Sequence, residues 1–330
     1  MKPKIVDCFL YFQEKELLKL RLEYLNDFVD YFVIVEASQS FSGKKKDFNF
    51  EKEKKQFQPY LHKIIYYKIE NTIKSFDDLA SQLEKKNDFV SKNILFFMNS
   101  HSHYNKDLLN WVLDTFHRES IAYPLNEMSL KPNDVILLSD IDEIPSHNFL
   151  KSYLDNPIDH ACNKQYQFSF FLNLLSDDHW IGTIISKWNA IKDISLTDLR
   201  IDSKKNQKKV IDLGLSNGGY HFTSYGDIQK IKSKIRNWSH QEFNNFIIFK
   251  FLSLNLRYGM DIFGRSLKAQ YKVIDIKNEK YFSKNFSSIV ERHKMLVSKP
   301  LKKGIPYYYF LFYFLGKIYK VFYYLKVSFK

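Results

Sequence analysis

Apolar residues in the first part of the chain fall into two kinds of run. Residues 4–10 and 31–35 are short, continuous runs rich in β-branched and aromatic side chains, which is typical of strands buried on both faces. Residues 14–26, between them, carry leucines at helical spacing. A strand, a helix and a strand in this order predict a βαβ unit, so we expect the sheet to begin with parallel strands.

Similar runs recur along the rest of the chain and predict an α/β fold, with a mostly parallel central sheet flanked by helices. Residues 71–103 are polar and weakly periodic, and we assign no chemistry to them. A polar loop is expected at 177–180. Further strands are predicted at 62–69, 135–138, 165–175, 183–191 and 220–223, and helices at 51–58, 106–121, 146–154 and 227–238.

The stretch DVILLSDIDEIP at residues 134–145 is the most informative in the sequence. A buried strand is followed at once by Asp140, Asp142 and Glu143, and Pro145 should stop the strand. Ligands of open α/β sheets bind at this carboxyl edge. Two carboxylates spaced two residues apart point the same way on an extended backbone and favour Mg²⁺ or Mn²⁺. The alternative is that the carboxylates only cap the helix that begins near Ser146.

Two further residues are candidates for binding a nucleotide. Glu36 follows the second strand and should lie at the same edge as Asp140, where it could accept hydrogen bonds from a ribose or base; otherwise it caps a helix or a turn. Arg118, on a predicted helix, could reach a phosphate or a base. Its alternative partners are the neighbouring acids Asp114 and Glu119.

Two aromatic residues are candidates for other roles. Trp180 could stack on the face of an acceptor sugar, although a tryptophan in a loop is often only a core anchor. His221 follows a Gly-Gly pair that permits a tight turn or close backbone approach. It could supply a nitrogen ligand to the metal, although a single histidine is more often structural.

Composition and charge narrow the classes of protein. Apolar residues make up 45% of the 330-residue chain, enough for one large α/β domain or two small ones. The net charge is +13, but nine of these charges follow Glu291, after which there are no acids. The rest of the chain is therefore nearly neutral, and we expect no nucleic-acid partner. Cys8 and Cys162 lie in apolar surroundings, as expected for free thiols in a reducing compartment.

We expect a cytoplasmic protein, because the sequence has no evident signal peptide or spanning segment. The tail at 305–330 is rich in tyrosine, phenylalanine and lysine. It is too short in apolar length to span a bilayer, but its residue types suit an anionic membrane surface, at the inner face of the cell membrane. The alternative is that the tail packs on the body or forms an oligomer contact.

Seven segments, in order over roughly residues 4–266, resemble glycosyltransferase family 17, the family of β-1,4-mannosyl-glycoprotein β-1,4-N-acetylglucosaminyltransferase and its bacterial relatives. They are DCF at 7–9 with Glu14, FVIVEA at 32–37, FSG at 41–43, DVILLSDIDEIP at 134–145, GGYHF at 218–222, SHQEF at 239–243 and DIFGR at 261–265.

The resemblance implies a GT-A-like fold at 1–270, with 271–330 as a helical, aromatic and basic extension. It implies inverting transfer of a sugar, from UDP-N-acetylglucosamine as donor, with Mn²⁺ or Mg²⁺. The absence of an amino-terminal anchor, together with the basic tail, favours a bacterial-type enzyme. Its acceptor would be a glycan or lipid-linked glycan in surface-polysaccharide or lipopolysaccharide synthesis.

Such a reaction assigns roles to the candidate residues. Asp142, assisted by Asp140 and His221, would hold the cation that neutralises the leaving nucleotide. A separate carboxylate must take the proton of the acceptor hydroxyl. Glu242 is the first candidate, followed by Asp178 and Asp261.

Two other classes of protein remain open at this point. A metal-dependent phosphoryl- or nucleotidyl-transfer enzyme would also need paired carboxylates. A non-catalytic membrane-surface protein would depend mainly on the tail.

Overall fold

The computed structural model describes residues 2–205, 211–212, 214, 217–268 and 271–328. Its strands are β1 (Ile5–Leu10), β2 (Tyr31–Ala37), β3 (Ile64–Ile69), β4 (Val135–Asp140), β5 (Glu143–Pro145), β6 (His160–Ser169), β7 (Leu174–Lys187), β8 (Ile211–Asp212), β9 (Gly219–Thr223) and β10 (Tyr271–Val273).

The helices surround these strands. They are α1 (Lys15–Leu25), α2 (Asn49–Glu53), α3 (Phe76–Lys86), α4 (Phe89–Ser100), α5 (Leu109–Glu119), α6 (Ala122–Glu127), α7 (His147–Asp155), α8 (Trp188–Ile191), α9 (Leu196–Lys205), α10 (Ile228–Asn237), α11 (Phe246–Arg257), α12 (Lys284–Arg292) and α13 (Tyr307–Ser328). Short 3₁₀ helices occupy Lys54–Lys63 and Gln241–Phe243.

The strands form one curled, mixed sheet in the order β3-β2-β1-β4-β7-β6-β9-β5, with β10 on β7 and β8 on β6. The first four strands of this order are parallel, and β7 is antiparallel to both β4 and β6. The predicted βαβ unit is confirmed, because β1 and β2 are parallel neighbours joined through α1. Parallel pairing on both sides of β1 places the ends of β2 and β4 at one edge.

The sheet is covered on both faces, which explains the continuous apolar runs of its first strands. On β1, Ile5 and Phe9 enter the core that contains α1, whereas Val6 and Cys8 enter the core that contains α4 and α5. The weakly periodic segment 71–103 contains α3 and α4. Side chains of Ser75 and Asp88 cap the amino termini of these two helices.

Some sequence predictions for individual elements were wrong. The polar loop expected at 177–180 is part of β7, because the β6–β7 pairing continues through it and register shifts accommodate the extra residues. The strand predicted to end at 175 stops at Ser169, and the one predicted to end at 191 gives way to α8. By contrast, strand structure does end at Pro145, which is the last residue of β5 and pairs with β9. The helix predicted at 51–58 forms only in part, since α2 ends at Glu53 and a 3₁₀ helix that includes Pro59 follows it.

A third apolar cluster joins the tail to the body. Tyr309 and Phe312 of α13 are fully buried against residues of α10 and α11, including Ile235 and Leu252. Packing therefore continues beyond residue 270, since β10 joins the sheet and α12 contributes to the core around α1. In the described part of the chain, no helix has both the length and the apolar character that crossing a membrane requires.

A buried arginine fixes the turn after β4. Arg21 of α1 is fully buried and binds both carboxylate oxygens of Asp7, at 2.6 and 2.7 Å. The same guanidinium donates to the Ser139 hydroxyl. It also donates to three backbone carbonyls of the turn, those of Asp140 (3.0 Å), Ile141 (3.2 Å) and Glu143 (2.9 Å). A single side chain thus ties the amino-terminal βαβ unit to the turn at residues 140–143. This turn carries Asp140, Asp142 and Glu143 and is called the acidic turn below.

We expect Arg21→Leu to destabilise the protein by about 3–5 kcal/mol, because the variant leaves the Asp7 carboxylate buried without its partner. The free energy of unfolding, measured by urea denaturation, checks this. Lys19→Ala, on the same helix, is the matched control and should change stability by no more than about 0.5 kcal/mol. An Arg21→Leu variant as stable as this control would contradict the assignment.

Candidate active site

Asp140 is held by two arginines. Arg118 of α5 approaches one carboxylate oxygen at 2.5 Å, and Arg200 of α9 approaches the other at 2.6 Å. Arg200 also binds Glu143 of β5 through two hydrogen bonds of 2.9 and 2.7 Å. Burial alone would raise the pKa of both carboxyl groups, but the arginines outweigh it and hold both pKa values low, that of Glu143 at about 2. Both groups are therefore ionised and already paired with cations.

Asp142 has a different environment. Its Oδ2 accepts a hydrogen bond from Lys234 of α10 at 2.9 Å, and its Oδ1 lies 3.9 Å from Nε2 of His221. Pairing of β5 with β9 places His221 directly opposite Glu143. Burial lowers the pKa of His221 although Asp142 opposes this, so the imidazole is neutral near pH 7. Its Nδ1 is buried without a hydrogen-bond partner among the described residues.

The Gly-Gly pair before His221 allows β9 to approach the acidic turn. Gly219 has a φ of 133°, and a Cβ on it would lie 2.2 Å from the carbonyl oxygen of Ile144. A Cβ on Gly218 would lie 2.6 Å from the carbonyl oxygen of Lys164. The close backbone approach that the sequence suggests is therefore present, and β9, which carries His221, runs directly beside the turn that carries Asp142.

Trp180 lies beside this cluster on β7. Its indole N–H donates to Glu143 Oε1 at 2.6 Å, and its ring stacks on His221 with 4.6 Å between ring centroids. The ammonium group of Lys204 lies 4.0 Å from the centre of the indole. Burial and the neighbouring Arg200 lower the pKa of Lys204 to about 7. The ring therefore orients site residues in this structure, and its predicted role in stacking on an acceptor sugar stays a prediction.

A cleft of about 140 Å³ opens at the carboxyl ends of the parallel strands. Its β2–β3 side is mostly apolar and its β4 side is charged. The cleft brings together three of the predicted residues, Arg118, Asp140 and Asp142. The other lining residues are Leu10, Tyr11, Phe12, Glu14, Val35, Ala37, Gln39, Ser40, Phe41, Lys46, Ile69, His117, Ile141, Lys234, Asn237 and Trp238.

Glu36 occupies the position of a turn cap, the alternative that the sequence left open. Its buried carboxylate accepts hydrogen bonds from the backbone N–H groups of Asn49 and Phe50 at the start of α2, from the Tyr66 hydroxyl and from Lys46. It is not among the residues that line the cleft, so its predicted contact with a donor nucleotide has no support from the geometry.

The three candidate bases also lie outside the cleft lining. Glu242 is held by His240 at 3.0 Å in the 3₁₀ helix beneath α13. Asp261 is fully buried, and its carboxylate accepts hydrogen bonds from the backbone of Phe263 and from Arg265, so it stabilises a turn. Asp178 is exposed on β7. Their catalytic roles stay predictions without a contact to the site.

The predicted metal ligands converge only in part. Asp142 and His221 approach each other to 3.9 Å between facing atoms, a distance within the combined length of two metal–ligand bonds of about 2.1 Å each. Asp140 is turned towards Arg118 and Arg200. Among the described residues, therefore, the chain offers two ligands here, with Asp140 positioning the arginines beside them.

Sequence reasoning missed several residues of this site. Arg200 comes from a segment to which no element was assigned, and nothing in its sequence surroundings links it to Asp140. Lys234 lies on the helix predicted at 227–238, whose several basic residues were a usable signal. Glu14 was noted only within a motif, and His117 was not considered. Burial lowers the pKa of His117 to about 3, so this residue lines the cleft as a neutral imidazole.

Comparison with known proteins agrees with the sequence resemblance. The sequence profile of glycosyltransferase family 17 matches residues 1–88 and 78–265, which together make up well over half of the chain. The match includes strands β1 to β9, the acidic turn and all residues of the cleft. Comparison with curated proteins gives no match. The cleft, with its carboxylates at the ends of parallel strands, lies wholly within the matched residues, and the chain belongs to glycosyltransferase family 17.

Proposed function

We propose that the protein transfers N-acetylglucosamine from UDP-N-acetylglucosamine to a hydroxyl group of a glycan, with inversion at the anomeric carbon. The observation that carries the proposal is the cleft at the carboxyl ends of β1, β2 and β4, where Asp140 and Asp142 meet Arg118 and Lys234. Family membership favours glycosyl transfer over phosphoryl transfer or a purely membrane-surface role. The parallel β3-β2-β1-β4 half of the sheet supports a GT-A-like fold.

The cleft suggests how a nucleotide-sugar donor would lie. Val35, Ala37 and Ile69, near the ends of β2 and β3, give an apolar wall suited to the nucleobase. The diphosphate would lie towards β4, within reach of Arg118 and Lys234. This orientation puts the sugar beside the acidic turn, where the bond to the leaving nucleotide breaks.

We further propose that Asp142 and His221 hold Mn²⁺ or Mg²⁺ together with the donor phosphates. A divalent cation there would neutralise the charge that grows on the leaving nucleotide. The neutral imidazole of His221 and the facing oxygen of Asp142 support this, at 3.9 Å from each other. Arg118 and Lys234 add fixed positive charge on the same side of the cleft.

Glu14 is our candidate for the general base. It lines the cleft at the start of α1, and its Oε2 accepts hydrogen bonds from the backbone N–H groups of Phe12 (3.3 Å) and Gln13 (2.9 Å). These bonds fix one oxygen and leave Oε1 able to accept a proton from an acceptor hydroxyl. Glu242 remains the candidate from the sequence, but it lies beneath α13.

Activity should require a divalent cation and should fall at least about a hundredfold in Asp142→Asn, because the variant removes charge from the position that faces His221. Transfer from UDP-N-acetylglucosamine, measured with and without EDTA and after addition of Mn²⁺, checks this. Asp177→Asn, at an exposed carboxylate paired with Lys272, is the matched control and should retain full activity.

His221→Ala should weaken Mn²⁺-dependent binding of UDP without a large loss of melting temperature. Transfer that is undiminished in excess EDTA would contradict the predicted metal requirement of the preceding paragraph. It would show that Arg118 and Lys234 neutralise the diphosphate without a metal. A His221→Ala variant that binds UDP and Mn²⁺ normally would make the histidine structural.

Glu14→Gln should lower kcat by about 10²–10⁴ and leave donor affinity nearly unchanged, since glutamine keeps the backbone hydrogen bonds but cannot take a proton. Steady-state kinetics and UDP binding separate the two effects. The parallel variant Glu242→Gln should keep its kcat. The reverse result, with Glu242→Gln impaired and Glu14→Gln unaffected, would return the role of base to Glu242.

The tail supports a further proposal, that α13 docks the enzyme on an anionic membrane beside a lipid-linked glycan acceptor in surface-polysaccharide synthesis. One side of the helix packs on the body through Tyr309 and Phe312. The other exposes apolar side chains at heptad spacing: Tyr307, Leu311, Phe314, Ile318, Val321 and Leu325. Lysines of this region, such as the exposed Lys317 and Lys326, would each add about 1 kcal/mol of attraction to an anionic surface.

Replacing Leu311, Phe314 and Ile318 together by serine should abolish co-sedimentation with phosphatidylglycerol vesicles, because the variant removes the apolar contact and leaves the buried residues of α13 unchanged. The wild-type protein should pellet with these vesicles less well as salt is raised, and should not pellet with phosphatidylcholine. Unchanged pelleting of the triple variant would contradict the proposal. A wild-type dimer that the triple variant loses, without vesicle binding, would assign the face to a second copy of the chain.

A further inference from the structure

A cluster of two histidines and an aspartate lies outside the cleft, between the end of α4 and the start of α9. Asp198 Oδ1 is 2.8 Å from Nδ1 of His101 and 3.2 Å from Nε2 of His103. Among the described residues, these three side chains alone bring three potential metal-ligand atoms within 4.8 Å of one another. The segment that supplies the histidines is the one to which the sequence assigned no chemistry.

Hydrogen bonding around His101 fixes which ring nitrogen carries a proton. The Ser195 hydroxyl donates to Glu119 Oε1 at 2.6 Å, so its oxygen is an acceptor towards His101 Nε2, 3.4 Å away. Glu119 Oε1 itself is 3.7 Å from the same nitrogen. When the imidazole is neutral, it therefore carries its hydrogen on Nε2 and directs the lone pair of Nδ1 at Asp198. A histidine oriented by a carboxylate and a hydroxyl on its far side is a common arrangement at metal centres.

The contact between His101 and Asp198 needs a positive charge. The His101 side chain is fully buried, and its Nδ1 lies only 2.8 Å from Asp198 Oδ1, but among the described residues neither atom has a hydrogen-bond partner at a normal angle. Two lone pairs at that distance repel each other unless a cation or a proton lies beside them. His103 and Asp198 are partly exposed, with 31% and 39% of their side chains accessible, so the cluster is open to solvent on one side.

We propose that His101, His103 and Asp198 bind one divalent transition-metal ion of the Zn²⁺ type. Two imidazoles and one carboxylate suit Zn²⁺ and its neighbours and not Mg²⁺, which prefers oxygen ligands. Three protein ligands leave a fourth position for water. The site is distinct from the one proposed at Asp142, in both ligands and preferred metal.

The position of the cluster gives the ion a role. Asp198 lies in the first turn of α9, the helix whose Arg200 binds Asp140 and Glu143. Glu119 accepts hydrogen bonds from the backbone of Leu196 and Thr197 at the start of the same helix. An ion bound here would fix α9 against the segment after α4, and so hold Arg200 in place.

The test is Zn²⁺ binding to the full-length protein, with any purification tag removed and with chelator dialysed away. Calorimetry and metal analysis after equilibrium dialysis should give one tightly bound Zn²⁺ per chain that excess Mg²⁺ does not displace. His103→Ala and Asp198→Asn should each weaken binding more than about tenfold. Both variants replace partly exposed side chains, and circular dichroism is used to check that each variant is folded.

Two controls locate the ion. His62→Ala removes an exposed histidine elsewhere, and Asp142→Asn alters the cleft; both should bind Zn²⁺ as the wild type does. The proposal is overturned if the folded wild type binds no Zn²⁺, since a protonated His101 paired with Asp198 then explains the contact. Unchanged binding in His103→Ala and Asp198→Asn, or loss of binding in Asp142→Asn, would also overturn it. None of these outcomes depends on whether the cleft transfers a sugar.

Discussion

The buried guanidinium of Arg21 must satisfy all its donors without water, and the acidic turn has its observed form because it supplies the acceptors. Asp7 and Ser139 provide side-chain oxygens, and three backbone carbonyls of the turn provide the rest. With those carbonyls facing Arg21, the side chains of Asp140 and Asp142 line the cleft. A buried ion pair of this kind adds little net stability but strongly restricts the conformation around it.

The acidic turn is electrostatically compensated. Arg118 and Arg200 hold Asp140, Arg200 also holds Glu143, and Lys234 holds Asp142. These basic side chains neutralise the charge of the carboxylates. At an Asp-x-Asp pair without such neighbours, a bound metal ion would have to do so. The field at this end of the cleft would therefore suit the diphosphate of the proposed donor, because Arg118 and Lys234 line the cleft and repulsion from the compensated carboxylates is small. A cation at Asp142 would supplement this arrangement.

The sequence predicted the parts of the fold that depend on local pattern. The βαβ unit, the buried strand before Asp140 and the helix that carries Arg118 follow from apolar periodicity, and parallel pairing then places their ends at one edge. The β6–β7 hairpin was missed because exposed Asp177 and Asp178 interrupt the alternation of β7 and imitate a loop. The arginine clamp could not be predicted, since Arg200 lies 60 residues from Asp140 in sequence and tertiary packing alone brings them together. For the same reason, no spacing rule could show that Glu36 caps α2.

Arg21 contacts residues far from it in the sequence, and this separation affects how the protein folds. The carbonyl acceptors in the acidic turn lie 119 to 122 residues after Arg21, and the pairing of β1 with β4 closes a loop of similar length. Contacts at such separations form slowly, because the entropy of closing the loop is lost before they can compensate for it. Before β4 pairs with β1, the guanidinium can bind Asp7, but the carbonyl acceptors of the turn are not yet beside it. The acidic turn therefore acquires its shape in the same event that completes the parallel sheet, and a partly folded chain cannot carry a working site.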